Sequence, residues 1–179
     1  MKPRIIYIHG NQTIHWSFAW SPWLKKELEK KGYKTFFETF PDSIIARAKY
    51  WLPFLKLHVK AGVNDVIVGW SSGAVTVLRY AEKNRIRGSI LIAPSYTDLD
   101  DKLEKQSGYF NKPWKWKSIK AKQKNIALVY SDNDPYISQR QFQFIAKKIK
   151  PTIIKIPKAK HFIERETFPE VLEYIVKTY

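Results

Sequence analysis

Cysteine is absent from the 179 residues. That excludes disulfides and thiolate-held zinc, and it suits a reducing compartment. No apolar stretch approaches the length of a membrane span. The opening Met1-Lys2-Pro3-Arg4-Ile5 passes straight into a short strand-like run, without the apolar core and cleavage site of a signal peptide. The expected location is therefore the cytoplasm. Internal repeats, linkers and low-complexity segments are missing too, so residues 1–179 are expected to form one domain with a sizeable core.

Acidic residues are scarce, 16 against 32 lysines and arginines, and the formal charge is +16. Such a balance raises the question of a nucleic-acid or anionic-membrane partner. The lysines, however, are spread over the chain, often on polar helix faces such as Lys25-Lys26-Glu27 and Lys147-Lys148. Residues 112–124 are the densest basic stretch and interleave Trp114 and Trp116. They read either as a basic aromatic surface or as a solvated loop and helix whose tryptophans pack inward. Charge runs are usually solvated faces, which favours the second reading and leaves no obligate nucleic-acid partner expected.

What is present is a core: 44% of residues are hydrophobic and 15% aromatic. Short apolar runs at residues 4–9, 33–37, 65–69, 89–94, 125–130 and 152–156 read as strands, buried on both faces. Helical patterns lie between them. Ser21-Pro22 marks one helix start and Gly32 its stop. Residues 43–60 carry Ile44, Ala48, Trp51, Leu52, Leu55 and Val59 at helical spacing, with Pro53 predicting a kink or a division into two short helices. Val75, Leu78 and Ala81 form the inward face of the helix after the third strand. Ser138-Gln139-Arg140-Gln141 and Thr167-Phe168-Pro169-Glu170 resemble capping boxes at two later helix starts. Residues 95–124 are a long connection of weak helical tendency, of the kind that carries local helices or covers a site. Alternating strands and helices imply an α/β protein with a largely parallel sheet of about six strands, whose ligands bind beyond the strands' carboxyl ends.

At such an end lies Gly69-Trp70-Ser71-Ser72-Gly73, between a strand and a helix, the context in which G-x-S-x-G forms a nucleophile elbow. A serine hydroxyl needs a base and a group to orient that base. Of the four histidines, His161 follows the last strand at the same sheet edge. His9 is suited to shaping the loop after the first strand, His15 to the mouth of a site, and His58 to a helix surface. For the orienting acid, Ser131-Asp132-Asn133-Asp134-Pro135 supplies two candidates. Asp134 is favoured because it directly precedes proline, and Asp132 is the alternative, a turn former otherwise. The order Ser71, Asp134, His161 is that of α/β-hydrolases. A tetrahedral oxyanion needs two backbone donors: Ser72 N–H supplies one, and Asn11 or Gln12 after Gly10 the other.

His9-Gly10-Asn11, His15-Trp16, Pro22-Trp23-Leu24, the serine pentapeptide, Asp132-Asn133-Asp134-Pro135 and Lys160-His161-Phe162 together resemble the small lidless serine hydrolases. That family includes the retinoblastoma-binding serine hydrolase and its bacterial relatives. The resemblance covers almost the whole chain. It implies a three-layer α/β/α sandwich without a large cap domain, a serine nucleophile, and esterase-like or amide-hydrolysing activity. Trp70 stands where histidine is common in the family, and the lysine content exceeds that of a typical member.

The expected chemistry is hydrolysis of small or short-acyl esters without metal or cofactor, through a shallow aromatic-edged pocket. Trp16, Trp70 and Trp114 are its expected walls, with Gln12 and His15 beside them. The imidazole must be neutral to act as base, so activity should rise with pH as it loses its proton. The reading from another class is a binding module that keeps the fold, barely catalyses, and uses its basic surface for a protein or nucleic-acid partner.

Overall fold

The computed structural model describes residues Met1–Tyr179. The apolar runs become six strands: β1 (Arg4–Ile8), β2 (Thr35–Phe37), β3 (Asp65–Trp70), β4 (Gly88–Ile92), β5 (Asn125–Ser131) and β6 (Thr152–Ile156). All neighbours are parallel, in the order β2-β1-β3-β4-β5-β6. Parallel neighbours need crossover connections, which here are mainly helical. The helices are α1 (Ser21–Lys30), α2 (Ala48–Pro53), α3 (Ser72–Ala81), α4 (Lys102–Ser107), α5 (Trp116–Ala121), α6 (Gln139–Ile149) and α7 (Pro169–Thr178). α1 packs against α7, while α2, α3, α5 and α6 pack in a row. The architecture is a minimal α/β sandwich with no large cap.

The sheet grows from β1 outward in both directions. β2 lies on one side, and β3 to β6 follow on the other. That reversal opens a crevice beyond the carboxyl ends of β1 and β3. At the opposite ends, Arg4 is paired with Asp65 across the same two strands by two 2.9 Å contacts, which helps hold their register.

β3 and β4 are buried along their whole length, as are Ile5 to Ile8 of β1. Each fully buried aliphatic or aromatic side chain contributes roughly 1.5–3 kcal/mol. Tyr7 meets Trp20 edge-on and stacks on Phe37, and Trp20 in turn meets Trp70 and Phe168. This aromatic web joins β1, α1 and the segment before α7.

Several local expectations give way to tertiary structure. β6 is an edge strand with an open face, because nothing packs beyond it, and it is not buried on both sides. β2 shrinks to three residues. Residues 41–45 form turns; helix begins only at Ala48 and passes at Pro53 into a π-helical turn, Phe54–His58. Proline has no N–H to donate, and the register change after it accommodates that loss. α3 is buried on every side, beyond its Val75, Leu78 and Ala81 face, because neighbouring helices enclose it. Neither capping box forms. The Gln141 side chain instead accepts hydrogen bonds from Tyr96 N–H and Thr97 N–H, and Glu170 pairs with Arg165.

Candidate active site

β3 turns into α3 through Ser71, whose backbone sits at φ 54°, ψ −120°, a conformation costly for a residue with a side chain. The two flanking glycines make the turn possible. A Cβ on Gly69 would lie 2.6 Å from Gly73 O, and one on Gly73 would lie 2.1 Å from Ile8 O. Their absence lets α3 begin directly against β1 and β3. Ser71 N–H donates to Ile92 O on β4, while Ser71 O accepts from Ala74 and Val75. The turn is thereby fixed from both sides, and Ser71 lines the cavity at the crevice.

That cavity has a volume of about 620 Å³. Gly10, Asn11, Gln12 and Thr13 contribute from the loop after β1, with Phe18 beyond them. Pro135, Tyr136 and Ile137 contribute after β5, His161 and Ile163 after β6, and Ser95, Leu99, Asp101 and Glu104 from the long connection. No lysine or arginine lines it, despite the +16 charge of the chain.

His161 is 7% exposed. Its Nδ1 lies 2.7 Å from Asp134 Oδ2, and the Asp134 side chain is wholly buried. An ionised carboxylate only accepts, so this contact assigns the proton to Nδ1 and leaves Nε2 as the imidazole's acceptor. Asp134 Oδ1 accepts from Tyr136 N–H and Ile137 N–H, at 2.9 and 3.0 Å. Both oxygens are thus engaged and the carboxylate cannot swing away. Asp132 serves differently: it is exposed at the surface and accepts from Lys158 N–H. That contact, with nearby Lys155, holds its carboxyl below the usual range.

The loop carrying His161 is gripped along its length. Ser131 Oγ accepts from Ala159 N–H and donates to Asn133 Oδ1, which also accepts from Lys160 N–H. Trp70 Nε1–H donates to His161 O at 3.1 Å. The Trp70 ring stacks on Phe18, 6.0 Å between centroids, and lies 5.9 Å from the imidazole. Trp70 therefore both lines the cavity and fixes the histidine's main chain. Tyr136 also meets the imidazole edge-on, at 5.2 Å between centroids.

On the opposite lip, Gln12 N–H donates to Ile44 O, whereas Asn11 N–H makes no backbone hydrogen bond. Of the two amides considered for the oxyanion, Asn11 is the one left free. His9 shapes this loop from below: Nδ1 contacts Gly10 O at 2.7 Å and Nε2 accepts from Phe40 N–H at 2.9 Å. Burial lowers its pKa, outweighing the opposing Gly10 contact.

Three expected pocket residues lie elsewhere. His15 is exposed and bonds locally, its Nδ1 2.6 Å from Ser17 Oγ. Trp16 packs edge-on against Phe37, while its N–H donates to Thr39 Oγ1. Trp114 lies over the Arg79 guanidinium, 3.6 Å from cation to ring centre, and donates to Tyr96 O. It also stacks on Trp116. The buried cation draws Trp114 to α3 and away from the cavity, and both tryptophans of the basic stretch are partly buried among aromatic neighbours. His58 is on the surface, as expected, 3.9 Å from Glu38.

Sequence reading missed Phe18, Tyr136 and Glu104. Phe18 and Tyr136 are adjacent to expected loops, but nothing local tells which way they turn. Glu104 had a partial signal in Asp101-x-x-Glu104, a helix-start pattern; Asp101 does cap α4, accepting from Leu103 and Glu104 N–H. Glu104 itself turns toward the cavity. Its carboxyl is shifted above the usual range, first by burial and then by the charges of Asp101 and Asp98, against a hydrogen bond from Ser72.

A profile of the family described as Serine hydrolase matches residues 6–176. The chain is 34% identical over 167 residues to Serine hydrolase RBBP9 of Rattus norvegicus, spanning 93% of this chain and 88% of the relative. Among solved structures, the ydeN gene product of B. subtilis superposes with a TM-score of 0.89 at 23% identity, covering 99% and 98% of the two chains. Est1E from Butyrivibrio proteoclasticus gives 0.77 at 16% identity, covering 98% and 86%. These two likenesses are of fold. With a serine elbow, a histidine–aspartate pair at the same sheet edge, and a family match that runs almost from end to end, this chain belongs to the serine hydrolase family.

Proposed function

We propose that the enzyme hydrolyses small or short-acyl carboxylic esters through Ser71, His161 and Asp134. The observation that carries this is the 2.7 Å contact between His161 Nδ1 and Asp134 Oδ2 in the cavity that Ser71 also lines. Ser71 Oγ attacks the ester carbonyl as its proton passes to His161 Nε2. The resulting imidazolium is stabilised by the Asp134 carboxylate. The oxyanion accepts hydrogen bonds from Ser72 N–H, at the start of α3, and from Asn11 N–H. Collapse expels the alcohol, which takes the proton from Nε2 and leaves an acyl-Ser71. Water then attacks the acyl group with His161 again as base, releasing the acid and restoring the serine.

The cavity's character supports a neutral substrate. Phe18, Trp70, Leu99, Tyr136, Ile137 and Ile163 are apolar or aromatic liners, and no cationic side chain awaits a substrate anion. No large cap encloses a long acyl chain.

A series of p-nitrophenyl esters of increasing acyl length tests the proposal. Turnover should be highest at the short end and absent in Ser71→Ala. Equal turnover by Ser71→Ala would overturn the nucleophile, and a preference for the longest acyl chains would overturn the substrate class.

A further inference from the structure

The long connection delivers one side chain to the catalytic crevice whose contacts the hydrolytic scheme does not use. Glu104 Oε1 accepts from Asn11 Nδ2 at 3.0 Å and from Ser72 Oγ at 3.1 Å. These residues sit on the two walls of the oxyanion site, one in the loop after β1 and the other at the start of α3. Glu104 Oε2 is buried without a partner, so the carboxyl is held by those two donors alone.

α4 is itself held in place. Asp101 caps its first turn, and Ser107 Oγ donates to Glu104 O. Farther along, Tyr109 is buried with its hydroxyl 2.7 Å from Thr76 Oγ1 on α3, and Arg79 donates to Tyr109 O and Lys112 O. The connection is thereby tied to the nucleophile's helix, and Glu104 projects from a fixed platform.

We infer that Glu104 is a positioning residue that sets the separation between the Asn11 and Ser72 main-chain amides; this rests on the proposed role of those amides. The two side chains it bonds need not touch substrate. Their backbone N–H groups face the oxyanion, and the shared acceptor keeps the loop from drifting away from α3. An oxyanion site works by having its donors in place before charge develops, so a loosened wall weakens transition-state binding more than ground-state binding.

The acceptor, and not the negative charge, is the working feature. Glu104→Gln retains an oxygen for both donors and should keep kcat within about threefold of the parent. Glu104→Ala removes it and should lower kcat about 10- to 100-fold with KM little changed, below the 10²–10³ loss typical of deleting an oxyanion donor outright. Asn11→Asp sets two carboxyls against each other and should also be slow. Combining it with Glu104→Gln restores a donor and an acceptor across the gap, and should recover at least about tenfold over Asn11→Asp.

Kinetics of these four variants on a short-acyl p-nitrophenyl ester decide the matter. Parent-like kcat in Glu104→Ala, an effect on KM alone, Glu104→Gln as slow as the alanine variant, or no recovery in the paired variant would each overturn the assignment. If Glu104→Ala does not fold, the paired variant still decides. Failure of the parent to turn over esters would count against the proposed function instead, before any variant is compared.

Discussion

The two lips of the cavity are built on different plans. The lip carrying His161, the proposed base, is held redundantly: Ser131, Asp132, Asn133 and Asp134 contact successive parts of the segment from Lys158 to His161, while Trp70 donates to the His161 carbonyl. The lip carrying Asn11, the proposed oxyanion donor, has His9 beneath it and, across to α3, a single Glu104 carboxyl oxygen. The contrast separates two kinds of sensitivity. On the base side, only the group that touches the imidazole should matter greatly to rate; on the oxyanion side, one positioning contact should.

Asp134→Asn offers the sharpest test of the base side. The amide can no longer hold the imidazole with both oxygens accepting, and kcat should fall about 10⁴-fold, as expected when the orienting acid of such a triad is neutralised. Asp132→Asn, in the same loop, should fall less than about tenfold, because its side chain serves a solvated turn. Equal losses in steady-state ester turnover would erase the distinction between the two aspartates.

The platform beneath the oxyanion lip should be the largest stability element outside the core. Arg79 is almost fully buried, pairs with Glu82 at 2.7 Å and donates to three main-chain carbonyls. Arg79→Leu strands those acceptors and Glu82, and should cost about 3–5 kcal/mol in urea unfolding. Loss of less than 1 kcal/mol would show that the connection is held by its aromatic packing alone. Asn133→Ala should be milder, about 1–2 kcal/mol, with kcat within a few-fold, since Ser131 and Asp134 still hold the loop.

A smaller effect concerns pH. Burial raises the Glu104 carboxyl above its ordinary 4.5, so the folded state binds the proton more tightly than the unfolded chain. The stability this group contributes is complete below about pH 4.5 and is lost as pH rises through the folded value. Glu104→Gln lacks that loss. Its Tm should exceed the parent's at pH 8, by about 2–4 °C per kcal/mol relieved, and the gap should close on acidification toward pH 4.5. His9 runs the opposite way: its lowered pKa costs stability as pH falls below 6.5 in both proteins, so the difference between them isolates Glu104.

These contrasts follow the line between what the chain states locally and what only packing decides. The strands at β1, β3 and β5 and the elbow at Ser71 are legible because a buried parallel strand and a strained turn both write themselves into neighbouring residues. Asp134 and His161 are legible because the ends of β5 and β6 share an edge with the end of β3. Glu104 is not, because its approach to Asn11 depends on Tyr109 and Arg79 fastening a weakly helical connection to α3. Trp114 misleads for the same reason: a tryptophan in a basic loop carries no sign that a buried arginine on another helix will claim it. Gln141 and Glu170 matched capping patterns, yet the distant Tyr96 and Thr97 took the first side chain and Arg165, five residues earlier, the second. β6 has the apolar composition of an inner strand and occupies an edge, a position that depends on where the chain ends its sheet.

An activated Ser71 that relies on the His161–Asp134 pair should be captured by a fluorophosphonate probe, with intact-mass analysis as the readout. The parent should take one adduct, Ser71→Ala and His161→Ala none, and Asp134→Asn should label far more slowly. Folded parent protein that takes no adduct, or a Ser71→Ala variant that labels as the parent does, would contradict it.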